Sequence, residues 1–438
     1  MGHTIFTKFL EEKEGDAMQK FIIKPTEKLC GTVKISGAKN AVLPILAACI
    51  LTDDICEIQN VPPLSDVEDM IVLLTELGAN IQFDRQKETI HIQIKELKTQ
   101  TVPYETAGKM RASFLVAGPL LARCQKACIS LPGGCQIGSR PVDLHLKGFA
   151  LLGAWHKMEH GYVELGTKNG LKGKNVYLDF PSVGATENIM MAAVLTKGTT
   201  VIENVAAEPE ICDLAEFLVE MGADIQGYGT DTIVIKGVKQ LHGTTHKVIP
   251  DRIEAGTFMV AAAITGGDIV LQDIQEEHLK PVIAKLTESN VKTEMTEKGL
   301  RVYRKGKLKP IQLKTMPFPG FPTDMQAVFM SLAAVAKGTS VITETVFENR
   351  FLHTAELQRM GADIKIDSRS AVIEGVDGLT GTKVKATDLR AGAALILSAL
   401  AAKGETEISD IYHIERGYYH IAEKLCALGA DIQKKESS

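Results

Sequence analysis

The sequence predicts an α/β protein assembled from six copies of one unit, divided three and three. Two recurring phrases and one break between the halves carry that expectation. A helix-ending phrase returns as LLTELGANI (73–81), FALLGAW (149–155), FLVEMGADI (217–225), LTESNV (286–291), LQRMGADI (357–364) and LCALGADI (425–432). With Gly78, Gly153, Gly222, Ser289, Gly361 and Gly429 as markers, the intervals are 75, 69, 67, 72 and 68 residues. A fixed period of this kind marks a repeated supersecondary block. Each marker reads as a helix stop with glycine in the left-handed position, Ser289 being the poorest match, followed by a strand.

The second phrase runs from a polar cap through an Ala-rich helix to a small residue and a β-branched strand. Examples are SVGATENIMMAAVLTKGTTVIENV (182–205), PTDMQAVFMSLAAVAKGTSVITET (322–345) and DLRAGAALILSALAAKGETEISDI (388–411). Ala, Leu and Met at close spacing predict helices buried on most sides. The unit therefore reads strand–helix–strand–helix–strand. The polar, Pro-containing segment LHGTTHKVIPDRIEAG (241–256) sits midway and predicts a crossover near residue 249. The opening strand, FIIKPTEKLCGTVKISG (21–37), precedes the first full block and fits either half.

Composition narrows the function classes. The 438 residues are 45% hydrophobic and 24% charged, with a net charge of −5. Such a chain needs more than one core, and its balance argues against bulk electrostatic binding to nucleic acid. The longest apolar runs, Ala41–Leu51 and Ala391–Ala402, fall short of the roughly 18 residues of a membrane span. Residues 1–17 carry acidic charge and no apolar core, so they read as an extra or disordered tail rather than a secretory signal. The eight cysteines form no CxxC pair; most read as small buried hydrophobes of a cytoplasmic protein. No metal-ligand spacing, P-loop or dinucleotide fingerprint is present.

Polar residues that break the repeat carry the chemistry. In SGAKNAVLP (36–44), Lys39 and Asn40 open an apolar helix, and a helix N-terminus with a lysine is a ready anion site. A solvated lysine beside a capping Asn is the plainer alternative. Arg111 stands at another helix start, in KMRAS (109–113). In LPGGCQIGSRPVDLH (131–145), Cys135 lies in a Gly-rich turn five residues from Arg140, a setting that favours a thiolate or an anionic ligand. Taken alone, a loop cysteine is more often incidental. In FPGFPTDMQA (318–327), Asp324 follows Pro322 at a helix start, where capping is a strong alternative. Arg350, Arg390 and Arg416 recur at loop or helix-start positions. With Lys39, Arg111 and Arg140 they predict a cradle for a heavily anionic substrate. A repeat protein with a passive binding surface fits the repeats alone equally well.

At these residues the sequence closely resembles the enolpyruvyl transferases that act on UDP-N-acetylglucosamine. The motifs are SGAKNA, MRAS, LPGGCQIGSRPVDLH, SVGAT, EPEI, DRIEAGTF, FPTDMQA, ENRF, DLRA and ERGY, spread from Met18 to Asp431. The resemblance implies a two-domain inside-out α/β barrel, with 39–249 in one domain and 18–38 plus 250–438 in the other. It implies transfer of the enolpyruvyl group of phosphoenolpyruvate to the sugar nucleotide, without metal or cofactor, in peptidoglycan precursor synthesis. Its partners would be those two small molecules, with no nucleic acid and no membrane insertion.

By the same resemblance, Lys39, Asn40, Arg111, Arg140, Arg390 and Arg416 hold phosphoenolpyruvate. Cys135 donates a proton and forms an adduct, and Asp324 is the base. The UDP-sugar would meet Arg140, Pro141, Val142, Asp143, Leu144, Phe180, Pro181, Ser182, Val183, Asp324 and Val346, with Arg350 completing the site. Two alternatives stand beside this reading. One is a related enolpyruvylshikimate-phosphate synthase, which lacks the Cys135 loop and SVGAT. The other is a catalytically silent paralogue acting as a ligand sensor, against which Lys39, Cys135, Asp324 and Arg416 together argue.

Overall fold

The helices expected to be buried on most sides are interior, and the strands wrap around them. Gln326–Ala334 is buried along its whole length, and Arg252–Thr265 and Leu389–Ala401 nearly so. These three pack on one another. The strands instead alternate, as in Thr199–Glu203 and Thr232–Lys236, leaving one face of each sheet to solvent, as antiparallel sheets allow. This computed structural model describes residues 19–131 and 142–436.

The unit over 175–236 shows the pattern. Strand Asn175–Tyr177 leads through helix Val183–Ala193 to strand Thr199–Glu203, then through helix Pro209–Glu220 to Asp224–Gln226 and Thr232–Lys236. The helix-ending phrase thus opens a hairpin, one strand more than the alternation predicted. All six four-stranded sheets share one order: a parallel edge strand, a second strand, then two antiparallel neighbours. Register here pairs Val201 with Val234 and Ile202 with Ile233, setting the buried isoleucines together.

Five of the six markers take the left-handed conformation: Gly78, Gly153, Gly222, Gly361 and Gly429, with φ from 91° to 117°. Ser289 has φ −87°. The next residue, Asn290 at φ 67°, makes the turn, asparagine being the usual substitute for glycine there.

Two hydrophobic cores result. One draws on residues from Ala38 to Val248, the other on Phe21 to Ile35 and Ile253 to Ile432. Each is closed by a strand from far along the chain. Thr245–Lys247 completes the sheet of Ile55–Gln59, and Gln19–Lys24 sits between Thr406–Ser409 and Asp431–Glu436. The chain crosses between cores twice, and the crossings run side by side. Ala38 N donates to Ile249 O at 2.8 Å and Asp251 N to Ser36 O at 2.8 Å, with Gly37 bridged to Pro250.

A Cβ on Gly37 would lie 1.8 Å from the backbone oxygen of Asn60. Asn60 cannot retreat easily, because its Nδ2 donates to Val248 O at 2.9 Å. Gly37→Ala is therefore expected to lower stability by about 1–3 kcal/mol or more, read as a fall in the urea midpoint.

Beside this junction, His246 is buried with each ring nitrogen on a carboxylate: Nδ1 on Glu220 at 2.9 Å and Nε2 on Asp213 at 3.1 Å. Burial alone would lower its pKa; Asp213 and then Glu220 outweigh it and hold it above the ordinary histidine value. Glu216 adds a further negative charge nearby. A raised folded-state pKa means the imidazolium stabilises fully below the unfolded pKa of about 6.5 and less as pH rises through the folded value. The melting temperature is expected to fall over that window, and His246→Gln to remove this part of the slope.

Candidate functional site

Four of the six cationic residues predicted from the repeat breaks, Lys39, Arg350, Arg390 and Arg416, gather around two carboxylates. The first is Asp66, in the first turn of helix Ser65–Leu77 and 4% exposed. Lys39 heads helix Lys39–Ala48, whose apolar length is buried and holds the lysine at its rim. Its Nζ donates to Asp66 Oδ2 at 2.9 Å. Arg416, from the other core, donates through Nε to Asp66 Oδ1 at 2.8 Å. Burial alone would push the Asp66 carboxyl up, but Lys39 and then Arg416 outweigh it and hold it below its ordinary value. Asn40 follows Lys39 and is exposed.

The second is Asp324. It lies in the short 3-10 helix Thr323–Met325, where Pro322 and not Asp324 holds the N-cap position. Instead it accepts from Arg350 Nη2 at 2.9 Å and Arg390 Nη2 at 2.8 Å. Both arginines are 4% exposed. Arg350 Nε and Arg390 Nη1 are buried without a hydrogen-bond partner among the described residues, and such groups are costly unless something fills the place. Burial would lower the Arg390 pKa, but Asp324 more than offsets it. Tyr418 lies beneath the guanidinium, 5.3 Å to the ring centre, and its hydroxyl pairs with Thr257 at 3.0 Å. A Cβ on Gly417 would lie 3.2 Å from Lys39 Nζ and 2.6 Å from Leu389, the neighbour of Arg390, so the clusters stand side by side. Those four residues of the predicted cradle are divided between two cation–carboxylate groups.

Val346 is half-buried in a loop braced by Glu344. That buried carboxylate accepts from Val346 N at 2.7 Å and from Thr323 Oγ1 at 2.8 Å, tying the loop to the segment bearing Asp324. A further contact joins the cores. Arg252 grips Glu210 through Nε at 2.9 Å and Nη2 at 3.2 Å.

The other described residues predicted to meet the sugar nucleotide lie at the starts of two helices of the first core. Val142, Asp143 and Leu144 stand at the start of Asp143–Leu151. Phe180, 44% exposed, and Pro181 precede Ser182, whose Oγ accepts from Ala185 N at 3.3 Å and so caps helix Val183–Ala193. Arg111 opens the 3-10 helix Arg111–Val116. Cys135, Arg140 and Pro141 lie outside the described residues.

Among the other cysteines, Cys49 and Cys56 are buried, Cys124, Cys128 and Cys212 intermediate, and Cys30 and Cys426 exposed. The expectation that most are buried is corrected: Cys30, for one, begins a strand whose outer face meets solvent. Burial, then Glu216, pushes the Cys212 thiol up to about 11. Sequence reasoning missed Asp66, Glu344 and Tyr418. Tyr418 stood inside the ERGY neighbourhood, whereas Asp66 looked like any acid in a helix first turn. Among the described residues, no group of three His, Cys, Asp or Glu side chains could hold a metal ion. None of their helices is long and apolar enough to cross a membrane.

Fold and site together define a class. The family described as EPSP synthase (3-phosphoshikimate 1-carboxyvinyltransferase) matches residues 23–425, and the chain belongs to that family of enolpyruvyl transferases. More narrowly, it is 60% identical to "UDP-N-acetylglucosamine 1-carboxyvinyltransferase 1" of Caldanaerobacter subterraneus subsp. tengcongensis, covering 95% of this chain and 99% of that one. It is 52% identical to the protein of the same name in Staphylococcus aureus, with the same coverage. Among solved structures, the enolpyruvyl transferase NikO from Streptomyces tendae superposes with a TM-score of 0.86 at 25% identity, over 96% of this chain and 100% of that one. EPSP synthase from Acinetobacter baumannii gives 0.74 at 20% identity, over 95% and 100%, a likeness of fold alone.

Proposed function

We propose that the protein transfers the enolpyruvyl group of phosphoenolpyruvate to the 3-hydroxyl of UDP-N-acetylglucosamine, releasing phosphate, in the committed step of peptidoglycan precursor synthesis. The observation that carries this reading is the pair of adjacent cation–carboxylate clusters, in a chain 60% identical to a protein named for that activity. The sugar hydroxyl oxygen forms a bond to C2 of phosphoenolpyruvate while its proton passes to Asp324. Cys135 delivers a proton to C3, making a methyl group. The tetrahedral intermediate then breaks its C2–O bond to phosphate, and loss of a methyl proton restores the vinyl group.

Each protein group has a physical task. Lys39, Asn40, Arg111, Arg140, Arg390 and Arg416 neutralise carboxylate and phosphate. Arg350 Nε and Arg390 Nη1, without a partner among the described residues, offer donors beside the base. Val142, Asp143, Leu144, Phe180, Pro181, Ser182, Val183 and Val346, with Arg140 and Pro141, line the nucleotide. An unperturbed thiol, with pKa about 8.5, is mostly protonated at neutral pH and so can donate. Phosphoenolpyruvate has to take Lys39 and Arg416 from Asp66, which occupies them with a carboxylate of the protein's own.

The test is phosphate release by the purified protein. Release that requires both phosphoenolpyruvate and UDP-N-acetylglucosamine is expected. Release with shikimate 3-phosphate in place of the sugar nucleotide, or none with either, overturns the reading.

A further inference from the structure

Glu344 stands where the repeat elsewhere puts a core residue. In three of the sheets the chain leaves the second strand in the same way. The backbone N–H of Val61, Val205 or Glu344 donates to the carbonyl just before the last strand of the hairpin: Glu88 at 2.8 Å, Asp231 at 3.1 Å and Arg369 at 2.8 Å. A second place is equivalent by the same criterion. Val248, Leu178 and Thr315 each follow a parallel edge strand and donate to the carbonyl that ends its neighbour, those of Gln59, Glu203 and Thr343. Two of these sheets fill both places with buried aliphatic residues, Val61 with Val248 and Val205 with Leu178. The third has Glu344 and Thr315, equally buried, and it belongs to the unit that bears Asp324.

The carboxylate in this apolar place would be costly if its oxygens lacked partners. Oε1 accepts from Thr315 Oγ1 at 2.8 Å, Val346 N at 2.7 Å and Phe347 N at 3.1 Å. Oε2 accepts from Thr323 Oγ1 at 2.8 Å. Each oxygen thus serves a different part of the site. The first holds the loop of Val346, which continues to Arg350, and the Arg350 guanidinium lies 5.5 Å from the centre of the Phe347 ring. The second holds the residue next to Asp324.

We propose that Glu344 is a positioning residue for the transfer, keeping the base in register with the hydroxyl it deprotonates. Through Thr323 it sets Asp324; through Val346 and Phe347 it sets the loop against the sugar nucleotide. This rests on the reading of Asp324 and Val346 given above. Packing does not require a carboxylate here, since valine fills the place in two other sheets. The rate does require register, because a displacement of about 1 Å can lower it about 100-fold.

Thr323→Val removes the link to the base while keeping the shape of the side chain. Its kcat should fall about 10- to 100-fold, with both KM values within about threefold of wild type, because the contacts to the substrates remain. Thr323→Ser keeps the hydroxyl and should hold kcat within about threefold of wild type. The double variant Thr315→Val/Glu344→Val rebuilds the aliphatic pair of the other sheets. It should remain folded by circular dichroism, yet turn over as slowly as Thr323→Val or more slowly, with a raised KM for UDP-N-acetylglucosamine alone. Wild-type kcat in Thr323→Val, or Thr323→Ser as slow as Thr323→Val, overturns the proposal, and so does a folded double variant with wild-type turnover. If the double variant does not fold, the two Thr323 variants decide alone. A wild-type protein without turnover, or Asp324→Asn active at the wild-type rate, overturns the functional reading instead.

Discussion

Asp324→Asn is expected to lower turnover by about 10²–10⁴, the usual contribution of general acid–base catalysis, while binding UDP-N-acetylglucosamine within about tenfold of wild type. Asn keeps the shape and one acceptor oxygen, so a contact to Arg350 or Arg390 survives. What it loses is the capacity to take the hydroxyl proton. The change also leaves two buried guanidinium groups facing a neutral amide, so a modest loss of stability is expected beside the kinetic one. Pre-steady-state phosphate release and calorimetry on the same preparation separate the effects. Near-wild-type turnover would exclude Asp324 as the base.

Lys424→Met should give the largest loss of stability. Glu254 is 3% exposed; it accepts from Lys424 Nζ at 2.6 Å through Oε1 and from Ser36 N at 2.8 Å through Oε2. Lys424 Nζ also donates to Ser36 Oγ at 2.6 Å, tying one crossing between the cores into the group. Removing the ammonium leaves a buried carboxylate with one partner, at a cost of about 3–5 kcal/mol. Burial pushes the Glu254 carboxyl up, and Lys424 opposes that. Without the lysine the folded-state pKa rises further, so the folded state binds the proton more readily than the unfolded chain. The deficit should therefore be full well above the unfolded pKa of about 4.3 and shrink as pH falls towards it. Adding Glu254→Gln to the variant should restore much of the loss at neutral pH. A urea midpoint for Lys424→Met equal to wild type would show that the group contributes nothing.

The periodic part of this fold was legible because its signals are local. A glycine that must take positive φ recurs where each helix turns into a strand, and Ala-rich helices announce that they are buried on most sides. The Ser289 phrase looked irregular because the left-handed residue there is Asn290, one step later. Less legible were the strands a sheet borrows from elsewhere. Nothing in THK at 245–247 names Ile55–Gln59 as its partner, since a three-residue edge strand carries almost no pattern. The site followed the same rule. Lys39, Asp324 and Arg416 stood out as charges interrupting apolar repeats. Asp66 did not, because an acid in a helix first turn is ordinary. Only the approach of Arg416 from 350 residues away gives it a second partner.

The side-by-side crossings also bear on how the chain is made. Residues 38–248 contain the first core entire, so that half can pack while the rest is still being synthesised. The second half cannot. Ile23 pairs with Thr406 on one side and Ile432 on the other, so a strand made among the first waits for partners made among the last. Closing so long a loop costs entropy before any contact repays it, and the waiting strand presents two unpaired edges meanwhile. Gln19 lies opposite Glu436, so a circularly permuted chain that joined these ends and opened between 250 and 251 would cross between the cores once. Each half would then be contiguous, and neither would have to wait for the other.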